Sequence, residues 1–238
     1  MEIHKDIEIN DLFLYLKKYN TLVIGDVHIG YEEALNKEGI LIPRFQFKDT
    51  ITRLEKAIKN KRFNSIILLG DVKHEFGTIS ETEWRNTLQF LDTLSRYTEN
   101  IILIKGNHDK ILEPIANKRN LEVKDHIMLG DIFLLHGHVI PEKNKDFKDS
   151  KIIIIGHEHP AISITDKLKT EIYKCFIKGK YNSKVLIVVP SFNLVTEGTD
   201  ISKEELLSPF LHQGIKNFEV FVVSDKIYDF GKVKSITK

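Results

Sequence analysis

The chain has a single cysteine, Cys175, in 238 residues. That excludes an intrachain disulfide and a thiolate metal cluster. An excess of either charge is also lacking, with 35 basic residues against 34 acidic ones. The balance argues against a polybasic, histone-like partner but leaves room for a local patch facing a phosphate backbone. No apolar run approaches the ~18 residues of a membrane span. Met1-Glu2-Ile3-His4-Lys5-Asp6 places charges where a signal peptide needs apolar residues. A cytoplasmic protein with no membrane partner is therefore expected. Internal repeats, low-complexity segments and a clear linker are missing too, so residues 1–238 read as one α/β domain, with two small subdomains as the alternative. What is present, 42% hydrophobic and 29% charged residues, is ordinary globular composition. A chain of this length buries roughly 70–75% of its unfolded surface, enough for a core without staples.

Short β-branched runs recur, and several stop at glycine followed by a polar residue. Thr21–Ile24 leads into Gly25-Asp26, Ser65–Leu69 into Gly70-Asp71, and Ile101–Ile104 into Lys105-Gly106-Asn107. Ile132–Leu135 leads into His136 and Ile152–Ile155 into Gly156-His157, while Val185–Val189 and Glu219–Val223 complete the set. Continuous apolar runs this short, bounded by Gly or Pro, read as buried central strands. Between them, Phe47, Ile51, Leu54 and Ile58 mark one face of a helix ending near Arg62. Ser80-Glu81-Thr82-Glu83 is a capping box opening a second helix, whose apolar face is Trp84, Leu88, Leu91 and Leu94. Alternating strands and helices in the first half predict a parallel or mixed sheet with helices outside; the helix-poor second half predicts a second sheet packed on it. Ser191–Gly214 is a long excursion, with a short helix expected at Lys203–Leu207 and the character of a lid or specificity loop.

The strand ends carry the chemistry. Asp26-Val27-His28 follows the first strand, Asp71 the second, Asn107-His108-Asp109 the third, His136 the fourth and His157-Glu158-His159 the fifth. In open α/β sheets functional groups collect beyond the carboxyl ends of the strands. Asp-x-His alone is most often a surface triplet, and the Asp of Gly-Asp is often a helix cap. Five such elements in order, each at a strand exit, are a different matter. Carboxylate, amide oxygen and imidazole together suit a hard-to-borderline divalent cation. They are too many for one tetrahedral zinc and suit two metals ~3.5–4 Å apart.

This ordered set resembles the calcineurin-like metallophosphoesterase superfamily, with its Asp-x-His, Gly-Asp-x-x, Gly-Asn-His-Asp/Glu, lone His and Gly-His-x-His, over residues 21–159. Gly25-Asp26-Val27-His28-Ile29-Gly30-Tyr31-Glu32, Gly70-Asp71-Val72-Lys73-His74-Glu75-Phe76 and Pro190-Ser191-Phe192-Asn193 are similar to its ICC-like branch of predicted phosphoesterases, related to ligase-associated enzymes. The resemblance implies an αββα sandwich of two mixed sheets flanked by helices. It implies that Asp26, His28 and His159 hold one cation, that Asn107, His136 and His157 hold a second, and that Asp71 bridges them. His108 would assist the leaving group, with Asp109 orienting its ring. Mn²⁺ is the expected metal, with Fe, Co, Ni or Zn as alternatives. Lys73-His74-Glu75-Phe76-Gly77 stands where protein Ser/Thr phosphatases carry Arg-Gly, which argues against a phosphoprotein substrate. His108 stands where lipid-A precursor hydrolases tend to have Arg, and His74 where many relatives have a second Asp.

The expected activity is phosphodiester hydrolysis by a water activated between the two metals, because a general acid such as His108 matters most for a poor leaving group. A nucleotide or a nucleic acid would fit such a site; the alternatives are a nuclease acting on DNA or RNA, marked by an electropositive groove, and a non-catalytic partner-binding scaffold. Retention of every ligand together with His108 argues against the scaffold. Candidate substrate contacts are His138, Lys73, Asn193, Arg44 and Tyr31, each of which reads equally as an ordinary surface or supporting residue. Lys143, Lys145, Lys148 and Lys151 are diluted by Asp146 and Asp149 and read as a solvated loop. The sequence leaves the oligomeric state open.

Overall fold

The computed structural model describes residues 1–43, 45–75, 79–166 and 169–236; Arg44 and the Phe76-Gly77 end of the motif loop lie outside the described residues. The first sheet begins as an antiparallel meander, β1 (Glu2–His4), β2 (Ile7–Asn10) and β3 (Phe13–Leu16). β3 pairs antiparallel with β4 (Thr21–Ile24). From there the sheet is parallel through β5 (Ser65–Leu69), β6 (Ile101–Ile104) and β7 (Val123–Lys124). The crossovers carry α1 (Tyr31–Lys37), α2 (Gln46–Ile58), α3 (Glu81–Leu94) and α4 (Glu113–Asn117). Leu54, Ile58, Phe90, Leu91, Leu94 and Ile115 press α2, α3 and α4 onto the sheet and are almost fully buried. Burying each such side chain is worth about 1.5–3 kcal/mol.

The second sheet pairs β8 (His126–Leu129) with β9 (Ile132–Leu135) as a hairpin and then runs parallel through β10 (Ile152–Ile155) to β13 (Lys184–Val188). β11 (Pro160–Asp166) and the long β12 (Lys169–Tyr181) form the antiparallel arm, bordered by β14 (Thr199–Asp200), β15 (Glu219–Val223) and β16 (Ile227–Lys232). Successive residues serve opposite faces. Ile132, Leu134, Ile152, Ile154 and Ile187 join the core shared with the first sheet. Phe133, Leu135, Ile153, Ile155, Leu186 and Val188 face the other way into a second core. Both faces being buried explains why these strands read as unbroken apolar runs.

The architecture is thus an α/β sandwich of two mixed sheets, as expected, but its outer layers are unequal. The first sheet carries true helices. The second is covered by the one-turn α5 (Lys145–Asp149) and α6 (Val233–Ile236) and by irregular chain bearing Ile201, Phe210, Leu211, Ile215 and Phe218. The helix expected at Lys203–Leu207 does not form; the chain makes one turn at 201–203 and then runs irregularly. Asp200 takes the amide of Ser202 on its carboxylate, and Ser208-Pro209 stops any continuation. α2 ends at Ile58 rather than near Arg62, since Lys59 leaves the helical region. The capping box is half formed: Ser80 Oγ accepts the Glu83 amide at 3.0 Å, but the Glu83 side chain turns inward to another task. Among the described residues no helix is long and apolar enough to cross a membrane.

Candidate metal centre

The parallel strands of both sheets aim their carboxyl ends at one place. β4 delivers Asp26 and His28, β5 Asp71, β6 Asn107 and His108, β9 His136, and β10 His157 and His159. Three glycines let them converge. A Cβ on Gly106 would collide with the Asp71 carboxylate, one on Gly156 with the Asp26 carboxylate, and one on Gly70 with the His136 ring. Asp26, His28, Asp71, His157 and His159 all sit in the left-handed region, with φ between 46° and 66°. Conformations of that kind persist only where the surroundings impose them.

Two groups of donors result. Asp26, His28 and His159 bring one ligand atom each within 4.8 Å of one another, as do Asp71, His136 and His157. Within the first, His159 Nε2 lies 3.3 Å from Asp26 Oδ1 and 3.2 Å from His28 Nε2. Asp71 Oδ2 stands between the groups, 3.7 Å from His28 Nε2 and 3.3 Å from His136 Nε2. Asn107 Oδ1 is 3.0 Å from His136 Nε2. The Nδ1–H of His136 donates to Leu69 O at 3.0 Å, which leaves Nε2 facing the centre.

The electrostatics suit cations. Burial disfavours charge on His136, but hydrogen bonding to Asp71 and the charge of Asp26 outweigh it and push the ring up to about 9. Asp71 is likewise held below the usual carboxylate range by His136 and His28 despite burial. Burial, then neighbouring imidazoles, lower His157 to about 4 and His28 well below its ordinary value. Buried carboxylates that hold a proton on a neighbouring ring, beside imidazoles kept neutral, form a donor set a divalent ion fits by replacing that proton.

Comparison with known proteins agrees with this geometry. The family profile of calcineurin-like phosphoesterases matches residues 19–189, well over half the chain. The chain belongs to the calcineurin-like phosphoesterase family. A nuclease, MPE, from Pseudomonas putida shares its fold, with a TM-score of 0.66 at 17% identity over 93% of both chains. Vps29 from Chaetomium thermophilum (TM-score 0.40, 14% identity, 88% of this chain and 93% of that one) is more distant. So is a predicted phosphoesterase from Streptococcus pneumoniae (TM-score 0.35, 12% identity, 89% and 97%). No curated protein sequence matches. Membership makes this a metal-dependent phosphoester hydrolase of a family that binds a dinuclear divalent centre, and the two donor groups are where this chain offers one.

Around the phosphoesterase centre the side chains divide differently from the sequence-based expectation. Lys73, expected to meet substrate, is fully buried and donates from Nζ to the carbonyls of Glu75 and, at 2.8 Å, His108. It ties two motif loops together. Asn193 is also buried. Its Nδ2 donates to Val27 O and His28 O at 3.0 and 3.2 Å, and its Oδ1 accepts the amides of Val195 and Thr196. Both side chains are thus committed to backbone groups of the surrounding loops. Ser191 Oγ donates to Asp26 O at 2.8 Å, so the start of the excursion expected to be a lid is a buttress beneath the Asp26 loop. His108 Nδ1 is 2.5 Å from His74 O, so that carbonyl sets the ring. Asp109, assigned that task from the resemblance, accepts the amides of Val72, Lys73 and Gly106 instead. Burial and then the charge of Asp71 push Asp109 up to about 6. His138 does reach the surface beside the centre, its ring centroid 5.3 Å from that of His136.

Two further residues, His74 and Glu83, belong to the site although the sequence gives them other parts. His74 groups with His28 and His108 as a third donor set, and the Tyr31 ring lies 4.2 Å from it. Its place three residues after Asp71 was the available signal. Glu83, hidden in the capping box, accepts the amides of His74 and Glu75 at 2.8 and 3.0 Å and fixes that loop.

Proposed function

We propose that this phosphoesterase hydrolyses phosphodiesters. The observation that supports the reading is the sharing of Asp71 between two donor groups with His108 beside it: His108 Nε2 lies 4.0 Å from Asp71 Oδ2, while its Nδ1 is committed to His74 O. Asp26, His28, Asp71 and His159 would hold one cation, and Asp71, Asn107, His136 and His157 the other, with Mn²⁺ the best match to oxygen and imidazole donors. When bound, the cations supply Lewis acidity, lowering the pKa of water and balancing charge on the phosphate oxygens. The chain's own contribution is geometry. The left-handed ligand loops, locked by Asn193, Ser191 and Asp109, hold the donors in place before substrate arrives. Water adds to phosphorus and loses a proton to solvent as the ester P–O bond breaks. Protonated His108 gives its Nε2 proton to the departing alkoxide, so that a monoester and an alcohol leave. A nucleic-acid strand is the same chemistry on a longer substrate.

Metal-stripped protein, resupplied with Mn²⁺, is expected to hydrolyse bis-p-nitrophenyl phosphate faster than p-nitrophenyl phosphate and to do neither without metal. Monoester turnover that outruns diester turnover, or protein that binds two metal ions and cleaves neither compound, would overturn the diesterase reading.

A further inference from the structure

A cavity of about 440 Å³ opens beside the second donor group and shares Asn107 and His136 with it. A group bonded to a phosphate at that centre would therefore enter it directly. Leu135, Val139 and Pro141 give it apolar lining, and Lys110, Asp125 and His126 also border it. His138 stands at its edge, exposed, with its ring centroid 6.0 Å from that of His157 and no hydrogen-bond partner for either nitrogen among the described residues. Val139 beside it is 58% exposed. Folding does not ask for an uncovered imidazole and an uncovered valine in succession here. The turn before them is nonetheless built firmly. Gly137 has φ of 111°, a Cβ on it would crowd Ile155, and its carbonyl accepts the buried hydroxyl of Ser208 at 2.8 Å. A rigid turn is thus presenting two side chains outward into a pocket that adjoins the reacting phosphate.

The lining narrows the chemistry of the occupant. A bare phosphate has no use for the apolar lining; of the two lysines that border the cavity Lys105 is paired with Glu113 at 3.3 Å, and Asp125 offsets the charge of Lys110. The volume falls in the ordinary range for small-molecule sites, lined mostly by apolar surface with a few polar groups. We infer that this cavity seats the organic group of the diester, and that the group is a nucleoside whose base stacks on His138 while its phosphate lies over Asn107 and His136. The inference rests on the phosphodiesterase reading and names the substrate class for it: nucleotide esters.

Titration calorimetry with Mn²⁺-supplied protein tests the seat without requiring turnover. Thymidine 5′-monophosphate should bind about tenfold more tightly than methyl phosphate, the upper end of what one stacked pair contributes. His138→Ala should erase that preference, and His138→Phe, which keeps a flat ring but no nitrogen, should restore it. Equal binding of the two ligands by the parent protein would overturn the proposal. So would an unchanged preference in His138→Ala, or a Phe variant that behaves like the Ala variant. Hydrolysis of bis-p-nitrophenyl phosphate by the same preparations reports separately on catalysis. A preference for the nucleotide without diester turnover would sink the diesterase reading and leave the nucleoside seat standing; diester turnover without the preference would do the reverse.

Discussion

Left-handed backbone occurs in two regions of this molecule, and for different reasons. Outside the metal centre it is found, among the described non-glycine residues, at Asp6, Asp11, Asn20, Asn60, Asn120 and Asn182. All are Asp or Asn at chain reversals or at the ends of helices, where a short polar side chain tolerates positive φ through local hydrogen bonds. At the centre the same conformation is taken by Asp26, Asp71 and three histidines, His28, His157 and His159. Here the constraint is long-range. The His28 amide donates to Asp71 O at 2.9 Å, the His157 amide donates to the Asp26 carboxylate, and His159 O accepts the Thr199 amide at 2.9 Å. Each strained residue costs of order 1–3 kcal/mol, which these distant partners offset. A turn makes its own conformation; the ligand loops have theirs imposed, and the donors gain fixed positions from it.

The largest expected effect comes from removing charge at the centre while leaving backbone preference intact. Asp71→Asn keeps a residue that accepts positive φ and keeps the shape of the side chain. It should nonetheless lose both metals together and reduce phosphoester hydrolysis to background, read by elemental analysis of dialysed protein and by bis-p-nitrophenyl phosphate assay. Loss of one metal with full retention of the other would contradict a shared position for Asp71. Next in size, His108→Ala should retain both metals and lower diester turnover by roughly 10²–10⁴-fold, the usual worth of a positioned acid. A variant as active as the parent would remove His108 from the mechanism.

A smaller effect separates the two regions by pH. Lys174 on β12 donates to Ser191 O at 2.9 Å and to Asn193 O, beneath the ligand loops. Burial, with a further contribution from Arg53, lowers its pKa from 10.5 to about 7. Between those values the unfolded chain holds a proton that the folded one has released. Stability should therefore rise as pH increases from about 7 toward 10.5, by at most about 1.4 kcal/mol per pH unit from this group. Below pH 7 both states are charged and this contribution is flat. Denaturant melts of the parent and Lys174→Met across that window should differ in slope, and parallel pH profiles would show that the lysine is not desolvated as described.

The same contrast explains what could be read in the sequence. The strands β4, β5, β6, β9 and β10 were legible because burial on both faces writes an unbroken apolar run, and the residues that meet at the centre were legible because each follows such a run directly. Lys73, Asn193 and Glu83 were not. A lysine in a loop and a glutamate three places after a serine look the same in sequence whether they face solvent or a carbonyl brought in by another element. Glu83 satisfies the capping pattern in letters while its carboxylate serves His74 and Glu75. The N-terminal meander lacks such a run, and its signal is the shorter alternation of Ile7-Glu8-Ile9-Asn10, the period of a half-buried strand. The irregular cover of the second sheet has no period to detect.

The smallest predicted effect lies at the other end of β13 from the metal-ligand loops. Asn182 opens the two-residue turn between β12 and β13, with φ of 53°. Asn182→Gly exchanges one residue that accepts this conformation for another, so the change in unfolding free energy should stay within about 0.5 kcal/mol. Asn182→Val puts a branched Cβ against the backbone and should cost about 1–2 kcal/mol. Neither should alter metal content, because the turn is separated from the ligand loops by the whole length of the strand, roughly 16 Å at about 3.3 Å per residue. Chemical denaturation and metal analysis of the two variants together test the distinction drawn between the regions. A turn variant that lost metal would mean that the far end of the sheet also holds the ligand loops in place.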